Sequence, residues 1–190
     1  MVRPLDAKFF GRSALDVAPD LLGCLISSGS VETRVVVRID ETEAYTSDDP
    51  ASHSFRGPTK RNEVMFGPAG YLYVYFTYGM HWCANVVTGP EGTGEAVLLR
   101  GGVIESGLDH ARARRRTRAG NPVRDRDLTN GPAKLTQTLA INGAQNGLRL
   151  DAASSISLAA DGATQREYVC TPRIGISVAM DRRWRFVVEG

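Results

Sequence analysis

The sequence is poor in cysteine and has no long apolar segment. Cys24, Cys83 and Cys170 are its only cysteines, and they are widely spaced with no C-x-x-C pair. They therefore predict neither a disulfide framework nor a thiolate zinc site. No stretch approaches the ~20 apolar residues that a membrane-spanning helix needs, and the N-terminal segment MVRPLDAKFFGRSALD lacks the apolar core of a secretion signal. We expect a protein of the reducing cytoplasm that is neither secreted nor inserted in a membrane.

Histidine is also rare, and the net charge is small. The three histidines, His53, His81 and His110, do not show the spacing of metal ligands, and no glycine-rich phosphate loop is present. We expect no metal and no cofactor. The net charge of +2 is too small to indicate a nucleic-acid partner by itself. With 190 residues, no internal repeat and no composition break, the chain predicts one domain over residues 1–190.

The run Val35–Tyr45, VVVRIDETEAY, is rich in β-branched residues and free of glycine and proline, so it predicts a strand. Side chains alternate along a strand, which places Glu41, Glu43 and Tyr45 on one face. Carboxylates beside an aromatic ring at a strand end are typical of the wall of a site. The alternative is an exposed strand end whose glutamates are only solvated.

A second strand is predicted over Tyr71–Thr77, YLYVYFT, in which apolar residues alternate with tyrosines. Tyr78-Gly79 is predicted to form the tip of a hairpin, because glycine permits a tight turn and HWCANVV can return as a strand. Tyr78 would project from this tip, and bulky side chains in such positions can be pushed between base steps of a duplex. The alternative is that the tyrosines are half-buried residues of a sheet.

The segment between these strands, Thr46–Gly70, is predicted to be mostly loop, with one helical turn near Asn62–Phe66, because glycine and proline recur along it. It carries His53 and Arg61. Loops on a rigid scaffold often carry binding groups, although a single loop histidine is more often a structural hydrogen-bonding residue.

Helices are predicted at three places. Asp16 is expected to cap a short helix that ends at Gly23, a second helix is expected over Ile104–Thr117, and a third begins after Asn130 and ends near Ile141. The second helix and the residues after it contain a basic cluster: Arg112, Arg114, Arg115, Arg116, Arg118, Arg124 and Arg126. Such a cluster can neutralise phosphates, or it can be a solvated helix end.

The remaining strand candidates are His81–Val87, a run from Ala96 that ends in Arg100, and short segments after the third helix. An arginine at the end of an apolar strand needs a partner or an anion. The short segments are Leu148–Leu150, Ser155–Leu158, Ile174–Val178 and Trp184–Val188. Strands at hairpin spacing with little strand–helix alternation favour antiparallel pairing. We expect an α+β fold: a single domain with a curved, mainly antiparallel β-sheet, flanking helices and a protruding hairpin.

Seven segments, in order between about Phe9 and Arg149, resemble the alkyladenine (3-methyladenine or methylpurine) DNA glycosylase family. They are LLG at Leu21–Gly23, ETEAY at Glu41–Tyr45, ASHS at Ala51–Ser54, KRNEVMF at Lys60–Phe66, YLYVYFTYGM at Tyr71–Met80, VLLRG at Val97–Gly101 and NGPAKLTQTLAIN at Asn130–Asn142. Such a series is far more specific than any one short motif. The resemblance implies the same α+β architecture, with a hairpin that intercalates in DNA.

The resemblance also implies roles for individual residues. Glu43 matches the carboxylate that activates water, and Arg100 matches a basic residue beside it. Tyr45, His53 and Tyr75 match residues that sandwich the extruded base, Tyr73 lies at the pocket, and Asn85 matches a residue that disfavours purines with a 2-amino group. Tyr78, helped by Met80, fills the vacated space in the duplex. The candidates for contact with the DNA backbone are Arg61 and Lys134.

The implied activity is hydrolysis of the N-glycosidic bond of alkylated or deaminated purines in double-stranded DNA, by a monomer in the cytoplasm, at the nucleoid of a bacterium or in the nucleus of a eukaryote. The lesions are those of the 3-methyladenine, 7-methylguanine, hypoxanthine and ethenoadenine class. No lysine falls in the matched catalytic segments, so an abasic site is expected as the product, without strand cleavage. A damage-binding protein without activity and a hydrolase of free nucleosides remain alternatives.

The sequence departs from the family pattern at His81-Trp82, where other aromatic residues are usual. The segment Asp151–Pro172 is also short relative to vertebrate members, and family members commonly continue beyond the position of Gly190.

Overall fold

A computed structural model describes residues 2–115, 120–162 and 166–189. The strands are β1 (Arg3–Pro4), β2 (Leu25–Ser28), β3 (Val35–Tyr45), β4 (Leu72–Thr77), β5 (His81–Thr88), β6 (Glu95–Ser106), β7 (Ile156–Ala160), β8 (Tyr168–Thr171) and β9 (Arg185–Val188). The helices are α1 (Ala7–Phe10), α2 (Ala14–Asp20), α3 (Leu108–Arg114) and α4 (Pro132–Thr138). Short 3₁₀ turns occur at Glu63–Phe66, Asp125–Asp127 and Gly143–Gln145.

All nine strands belong to one sheet, and every pairing is antiparallel. The main path runs β1-β7-β2-β3-β6-β5-β4. β9 pairs with the second half of β3 and carries β8 on its other side. This confirms the expected α+β fold with a curved, antiparallel sheet.

The central strand β3 has the bounds predicted for it. Its first half pairs with β2 and its second half with β9, while β6 follows its whole length on the other side. The register of β3 against β6 shifts around Glu41, and such a bulge re-aims side chains and bends the strand. The second half of β3 therefore carries its carboxylates between two neighbouring strands.

The hydrophobic core lies between the sheet and its helices. α2 packs on β3 and β6, and α4 packs on β5 and β6. Val17 of α2, Leu21 just after it and Leu135 of α4 are buried. They pack in the same core as Ile39 and Leu99 of the sheet. A smaller cluster around Met65 and Tyr73 lies under the loop that joins β3 to β4.

The predicted start of the second helix, at Ile104, is wrong. Residues 104–106 continue β6, because Val37 and Val36 of β3 still pair with Ile104 and Ser106. Only Gly107, with φ +79°, turns the chain into α3. Positive φ is accessible to glycine at little cost. The predicted end of this helix lies outside the described residues.

Two predicted helix caps are also wrong. Ser13 caps α2, accepting a hydrogen bond from the Leu15 amide, and Asp16 lies in the first turn. α4 begins after Gly131, while the Asn130 side chain contacts Asp127 and Lys134 instead. Local sequence places a cap only to within a turn, because several polar residues compete for the position.

The predicted strand over Ile174–Val178 is wrong, and a strand at β8 was missed. Residues 174–178 form bends, and the Ile174 amide contacts Glu43 of β3. Ser155–Leu158 and Trp184–Val188 correspond to β7 and β9, whereas Leu148–Leu150 contributes only one isolated bridge, from Arg149 to Tyr71. Within the described residues, no helix has the length and apolar character of a membrane span.

Candidate active site

A cavity of about 470 Å³ lies at the end of β3, between the β3–β4 loop, the β4–β5 hairpin and the segment after β8. This volume is in the usual range for small-molecule sites. The side chains predicted to hold a base all line it: Tyr45, His53, Tyr73, Tyr75 and Asn85. Arg100 and Tyr78 line it as well.

Glu43 lies directly behind the cavity wall, with no exposed surface. Its Oε1 accepts hydrogen bonds from the Ile174 amide at 2.9 Å and faces Arg100 Nη1 at 3.2 Å. Its Oε2 accepts one from the Tyr45 hydroxyl at 2.8 Å. The three partners all line the cavity. A buried carboxylate is costly unless it is paired and hydrogen-bonded, and Glu43 meets both conditions.

Arg100 connects two of the carboxylates of β3, Glu41 and Glu43. Its Nε lies 2.7 Å from Glu41 Oε1, which also receives Arg185 Nε at 2.5 Å. Burial by itself would raise the pKa of Glu41, but the hydrogen bonds from Arg185 and Arg100 outweigh it and lower that pKa. Glu41 lines a second cavity, of about 520 Å³, on the far side of this network. It is therefore a charge partner of Arg100 rather than a second carboxylate of the first cavity.

Tyr45 presents its ring to the cavity and its hydroxyl to Glu43. Burial, followed by the neighbouring charge of Glu43, raises the pKa of the hydroxyl above its ordinary value. The group thus stays protonated and serves as a donor. Behind the ring, the Arg173 guanidinium lies 4.6 Å from its centroid, a distance typical of cation–π contacts.

The opposite wall contains His53 with Tyr73 and Tyr75. His53 Nδ1 lies 3.0 Å from the Tyr73 hydroxyl, and its ring meets that of Tyr75 edge-on at 4.5 Å. Burial, and secondarily the charge of Arg61, lower the pKa of His53, so its ring is neutral at pH 7. The buried side chain of Asn62 fixes this loop by donating to the His53 carbonyl at 2.7 Å.

Asn85 and Cys83 form part of the floor, on the inward face of β5. The Asn85 amide donates to the Tyr73 carbonyl at 3.2 Å, which fixes the side chain where it lines the cavity. Burial raises the pKa of the Cys83 thiol and of the Tyr75 hydroxyl hydrogen-bonded to it. Both groups are therefore protonated at neutral pH.

The β4–β5 hairpin projects Tyr78 and Met80 into solvent at the rim of the cavity. Their exposed fractions are 79% and 64%. Tyr78 and Gly79 both have positive φ, at 51° and 66°, as tight hairpin turns require. Tyrosine rarely adopts this conformation, and residues held so often belong to functional sites.

Trp82, one of the departures from the family pattern, supports the hairpin from below. Its ring packs on Phe76 at 4.7 Å, and its carbonyl accepts a hydrogen bond from Thr136 of α4. A Cβ added to Gly143 would lie 2.7 Å from the ring. His81 is exposed at the hairpin base.

Arg61 is exposed and Lys134 is half-buried near the cavity mouth. Arg61 donates to the Phe76 carbonyl at 3.2 Å, so it lies along β4 below Tyr78. Lys134 is in α4, two residues after Pro132 of the cavity rim, and bonds Asn130 at 2.8 Å. Their positions agree with contact to a backbone, although each also has a partner within the protein.

The basic cluster after β6 is largely engaged within the protein. Arg112 pairs with Asp109 and Asp125, and Arg124 pairs with Asp127. Arg114 and Arg115 donate to backbone carbonyls, including those of residues 33, 128 and 138. Arg116 and Arg118 lie outside the described residues. The described arginines with these partners hold the 120–131 segment in place.

Several residues of the site were missed from the sequence. Ile174 supplies an amide to Glu43 and lines the cavity, and Arg173 and Asp49 form a buried ion pair behind it. One signal was available in the sequence. Arg173 stands in the run YVCTPRIGI, and an arginine in apolar surroundings needs a partner. This argument, used above for Arg100, applied to Arg173 as well.

Comparison with known proteins identifies the family of the chain. The family model described as Methylpurine-DNA glycosylase (MPG) matches residues 8–190. A protein of Burkholderia lata named "Putative 3-methyladenine DNA glycosylase" is 48% identical over 189 residues, which cover 98% of this chain and 88% of that protein.

Relatives with the same name occur in other lineages. The protein of Carboxydothermus hydrogenoformans is 44% identical, covering 97% of this chain and 95% of its own. The protein of Methanoculleus marisnigri is 47% identical, and the match covers 98% of this chain and 95% of that protein. The chain therefore belongs to the methylpurine-DNA glycosylase family and is a DNA glycosylase of alkylated-base repair.

Proposed function

We propose that this enzyme is a monofunctional glycosylase that extrudes alkylated or deaminated purines from duplex DNA and hydrolyses their N-glycosidic bond with water activated by Glu43. The observation that carries the proposal is the position of Glu43. It is a buried carboxylate, held by three donors, immediately behind a cavity walled by aromatic rings. Lesions of the 3-methyladenine, 7-methylguanine, hypoxanthine and ethenoadenine class are the proposed substrates.

The extruded purine lies between Tyr45 on one side and His53 with Tyr75 on the other. Stacking on an aromatic ring contributes roughly 1–3 kcal/mol per base, which offsets the few kcal/mol that extrusion costs. The depressed pKa of His53 supports this arrangement, because a neutral ring next to a cationic alkylated purine avoids repulsion. Asn85 lies at the base edge, where it disfavours purines with a 2-amino group, and Tyr73 holds His53 in place.

The attacking water binds Oε2 of Glu43. Each oxygen of an ionised carboxylate offers about two lone-pair positions. Oε1 already has the Ile174 amide and Arg100, whereas the partner of Oε2 among the described residues is the Tyr45 hydroxyl. From there the carboxylate removes a proton from water and opposes the positive charge that develops on the sugar. Arg100 compensates the buried charge and, with Glu41 and Arg185, keeps the carboxylate in position.

Tyr78 is the wedge that occupies the space left by the extruded nucleotide, with Met80 beside it. An exposed aromatic side chain at a hairpin tip on the rim of the cavity is suited to insertion between base steps. Arg61 and Lys134 contact phosphates on either side of the mouth.

The product is an abasic site in an intact strand, and the enzyme acts as a monomer. A strand-cleaving step through a Schiff base needs an amine at the reacting sugar. Lys8, Lys60 and Lys134 all lie outside the residues that line the cavity.

The decisive experiment is single-turnover release of base from duplex oligonucleotides that carry hypoxanthine, ethenoadenine or a methylated purine. The intact enzyme is compared with Glu43→Gln, and free nucleosides are tested in parallel. We expect release from duplex DNA, and a fall of at least ~10²-fold in the variant with little change in binding.

Each alternative predicts a different pattern. Tight binding of lesion DNA without release by either protein would identify a damage-binding protein. Release from free nucleosides at the rate found for duplexes would identify a nucleoside hydrolase. Normal cleavage by Glu43→Gln would remove Glu43 from the chemical step.

A further inference from the structure

A buried ion pair outside the proposed catalytic residues joins both walls of the cavity. Arg173 and Asp49 have fully buried side chains, and the guanidinium contacts both carboxylate oxygens, with Nη2 to Oδ1 at 3.0 Å and Nη1 to Oδ2. They are separated by 124 residues in the chain. Bidentate pairs of this kind fix the guanidinium plane as well as its position.

The guanidinium plane is in contact with the back of the base-binding ring. It lies 4.6 Å from the centroid of Tyr45 and 5.2 Å from that of Trp184. Its Nη1 also donates to the Ala44 carbonyl at 3.0 Å, adjacent to Tyr45 in the chain. The orientation of the Tyr45 ring therefore depends on a plane set by Asp49.

Arg173 also determines where the amide that holds Glu43 is located. Ile174, the next residue, donates that amide to Glu43 Oε1 at 2.9 Å. Residues 174–178 belong to no helix or strand, so the regular hydrogen bonds of a sheet do not locate the amide. The anchor on its N-terminal side is the Arg173 ion pair.

Asp49 organises the opposite wall. Its Oδ1 accepts the Ala51 amide at 3.1 Å, and its carbonyl accepts the Ser52 amide at 2.8 Å. These bonds shape the turn that leads into His53. One ion pair is thus connected to Tyr45, to the Glu43 contact and to the loop of His53.

We propose that Asp49 and Arg173 are positioning residues for base excision, which set the Tyr45 ring and the Ile174 amide in the geometry that hydrolysis needs. The inference rests on the proposed function above, because it assigns to this pair the placement of groups that act in that reaction. Misplacement of a reacting group by about 1 Å can lower a rate by about 10²-fold.

The test uses Arg173→Lys and Asp49→Asn, with Arg38→Lys as a matched control. Lysine keeps the charge of Arg173 but loses the planar, bidentate fork. Asparagine keeps the volume of Asp49 and an acceptor for the Ala51 amide. Arg38 also bonds two carboxylates and a backbone carbonyl, those of Glu105, Asp161 and Gly23, but it lies in the half of β3 that precedes Glu41.

Two readouts separate positioning from simple stability. The first readout is single-turnover release of ethenoadenine from a duplex, with each protein assayed at the same number of degrees below its own Tm. Release should fall at least ~10-fold in both site variants and remain unchanged in Arg38→Lys. The second readout uses a Glu43→Gln background, in which release is expected to be at least ~10²-fold slower. There, the change in ethenoadenine fluorescence on binding should be smaller in the site variants only, because the Tyr45 ring is no longer held.

Equal rates in the intact enzyme, Arg173→Lys and Asp49→Asn would overturn the proposal, and so would losses that Arg38→Lys shows equally. If Arg173→Lys does not fold, Asp49→Asn alone decides between these outcomes. If the intact enzyme releases no base, the proposed function fails, but the fluorescence comparison still decides whether the pair orients Tyr45.

Discussion

The Tyr45 hydroxyl donates a hydrogen bond to Oε2 of Glu43, two residues earlier in β3, at an O–O distance of 2.8 Å. One tyrosine therefore offers a ring to the cavity and a donor to the buried carboxylate. Tyr45→Phe separates these roles. We expect it to retain lesion binding, because the ring remains, and to lower the free energy of unfolding by roughly 1–3 kcal/mol, because a buried acceptor loses its donor.

The measurement is denaturant unfolding together with titration of a lesion duplex. Tyr45→Ala is the comparison, and it should lose both stability and binding. Equal binding losses in Phe and Ala variants would mean that the ring does not stack on the base.

Tyr78→Asn should weaken binding without destabilising the protein. The side chain is 79% exposed and its φ is 51°, a conformation that asparagine tolerates better than tyrosine. We expect an unchanged or slightly higher Tm and about tenfold weaker binding of a lesion duplex, from the loss of 1–3 kcal/mol of stacking. Val103→Asn, which changes another exposed apolar residue away from the hairpin, should leave binding unchanged. An unchanged affinity in Tyr78→Asn would contradict the wedge.

Gly143→Ala tests whether the hairpin depends on Trp82. The new Cβ would lie 2.7 Å from the indole ring, so the ring must shift and the hairpin with it. We expect weaker lesion binding, although residue 143 itself is not a proposed DNA contact. The double variant Gly143→Ala/Trp82→Phe has a smaller ring and should recover part of the affinity. Recovery is measured by the same duplex titration, and a fully normal affinity in Gly143→Ala would exclude the dependence.

Arg61 and Lys134 can be tested through the salt dependence of DNA binding. Each phosphate contact contributes about 0.9 to the slope of log affinity against log salt concentration. Arg61→Gln and Lys134→Gln should each reduce that slope by about this amount. Arg34→Gln is the control, because Arg34 is exposed next to the first residue of β3, roughly 30 Å along the strand from Tyr45. A slope equal to that of the intact protein would show that the residue does not contact a phosphate.

The stability contributed by Glu41 should depend on pH. Its pKa in the folded protein is below the ordinary value of 4.5, so the unfolded chain binds more protons near that pH. The contribution is therefore complete above pH 4.5 and lost as the pH falls through the lowered value. Glu41→Gln should cost about 3 kcal/mol at pH 7, and the difference should shrink in acid.

The ionised side chain of Asp40 is expected to affect stability in the opposite direction to that of Glu41. Burial, followed by the charge of Glu41, raises its pKa. Asp40→Asn should therefore stabilise the protein at pH 7 and have less effect below pH 4. Urea unfolding at several pH values measures both. A pH-independent effect of Glu41→Gln would exclude the ionic network as its cause.

Local sequence predicted the strands of the site well. β-branched residues without glycine or proline defined Val35–Tyr45 to the residue, and alternation with a glycine turn defined the β4–β5 hairpin. Both depend on interactions between residues close in the chain. The structure brings the predicted pocket residues together, while the role of each remains a prediction that the variants above test.

The parts that could not be predicted depend on residues distant in the chain. Ile174 reaches Glu43 over 131 positions and Arg173 reaches Asp49 over 124, and no local pattern encodes such a pairing. The strand predicted at Ile174–Val178 shows the reason. Its apolar residues contact the site instead of pairing in a sheet, and the periodicity of apolar residues does not distinguish these two situations.

The separation of β3 and β9 in the chain has a consequence for how the enzyme is made. A ribosome synthesises Ile174 131 residues after Glu43, and β9, which follows Ile174, must then dock against the much earlier strand β3. Until that moment the carboxylate has neither its amide donor nor the strand that flanks it. Enclosure of Glu43 therefore follows synthesis of the later segment, and before β9 docks this carboxylate is open to water.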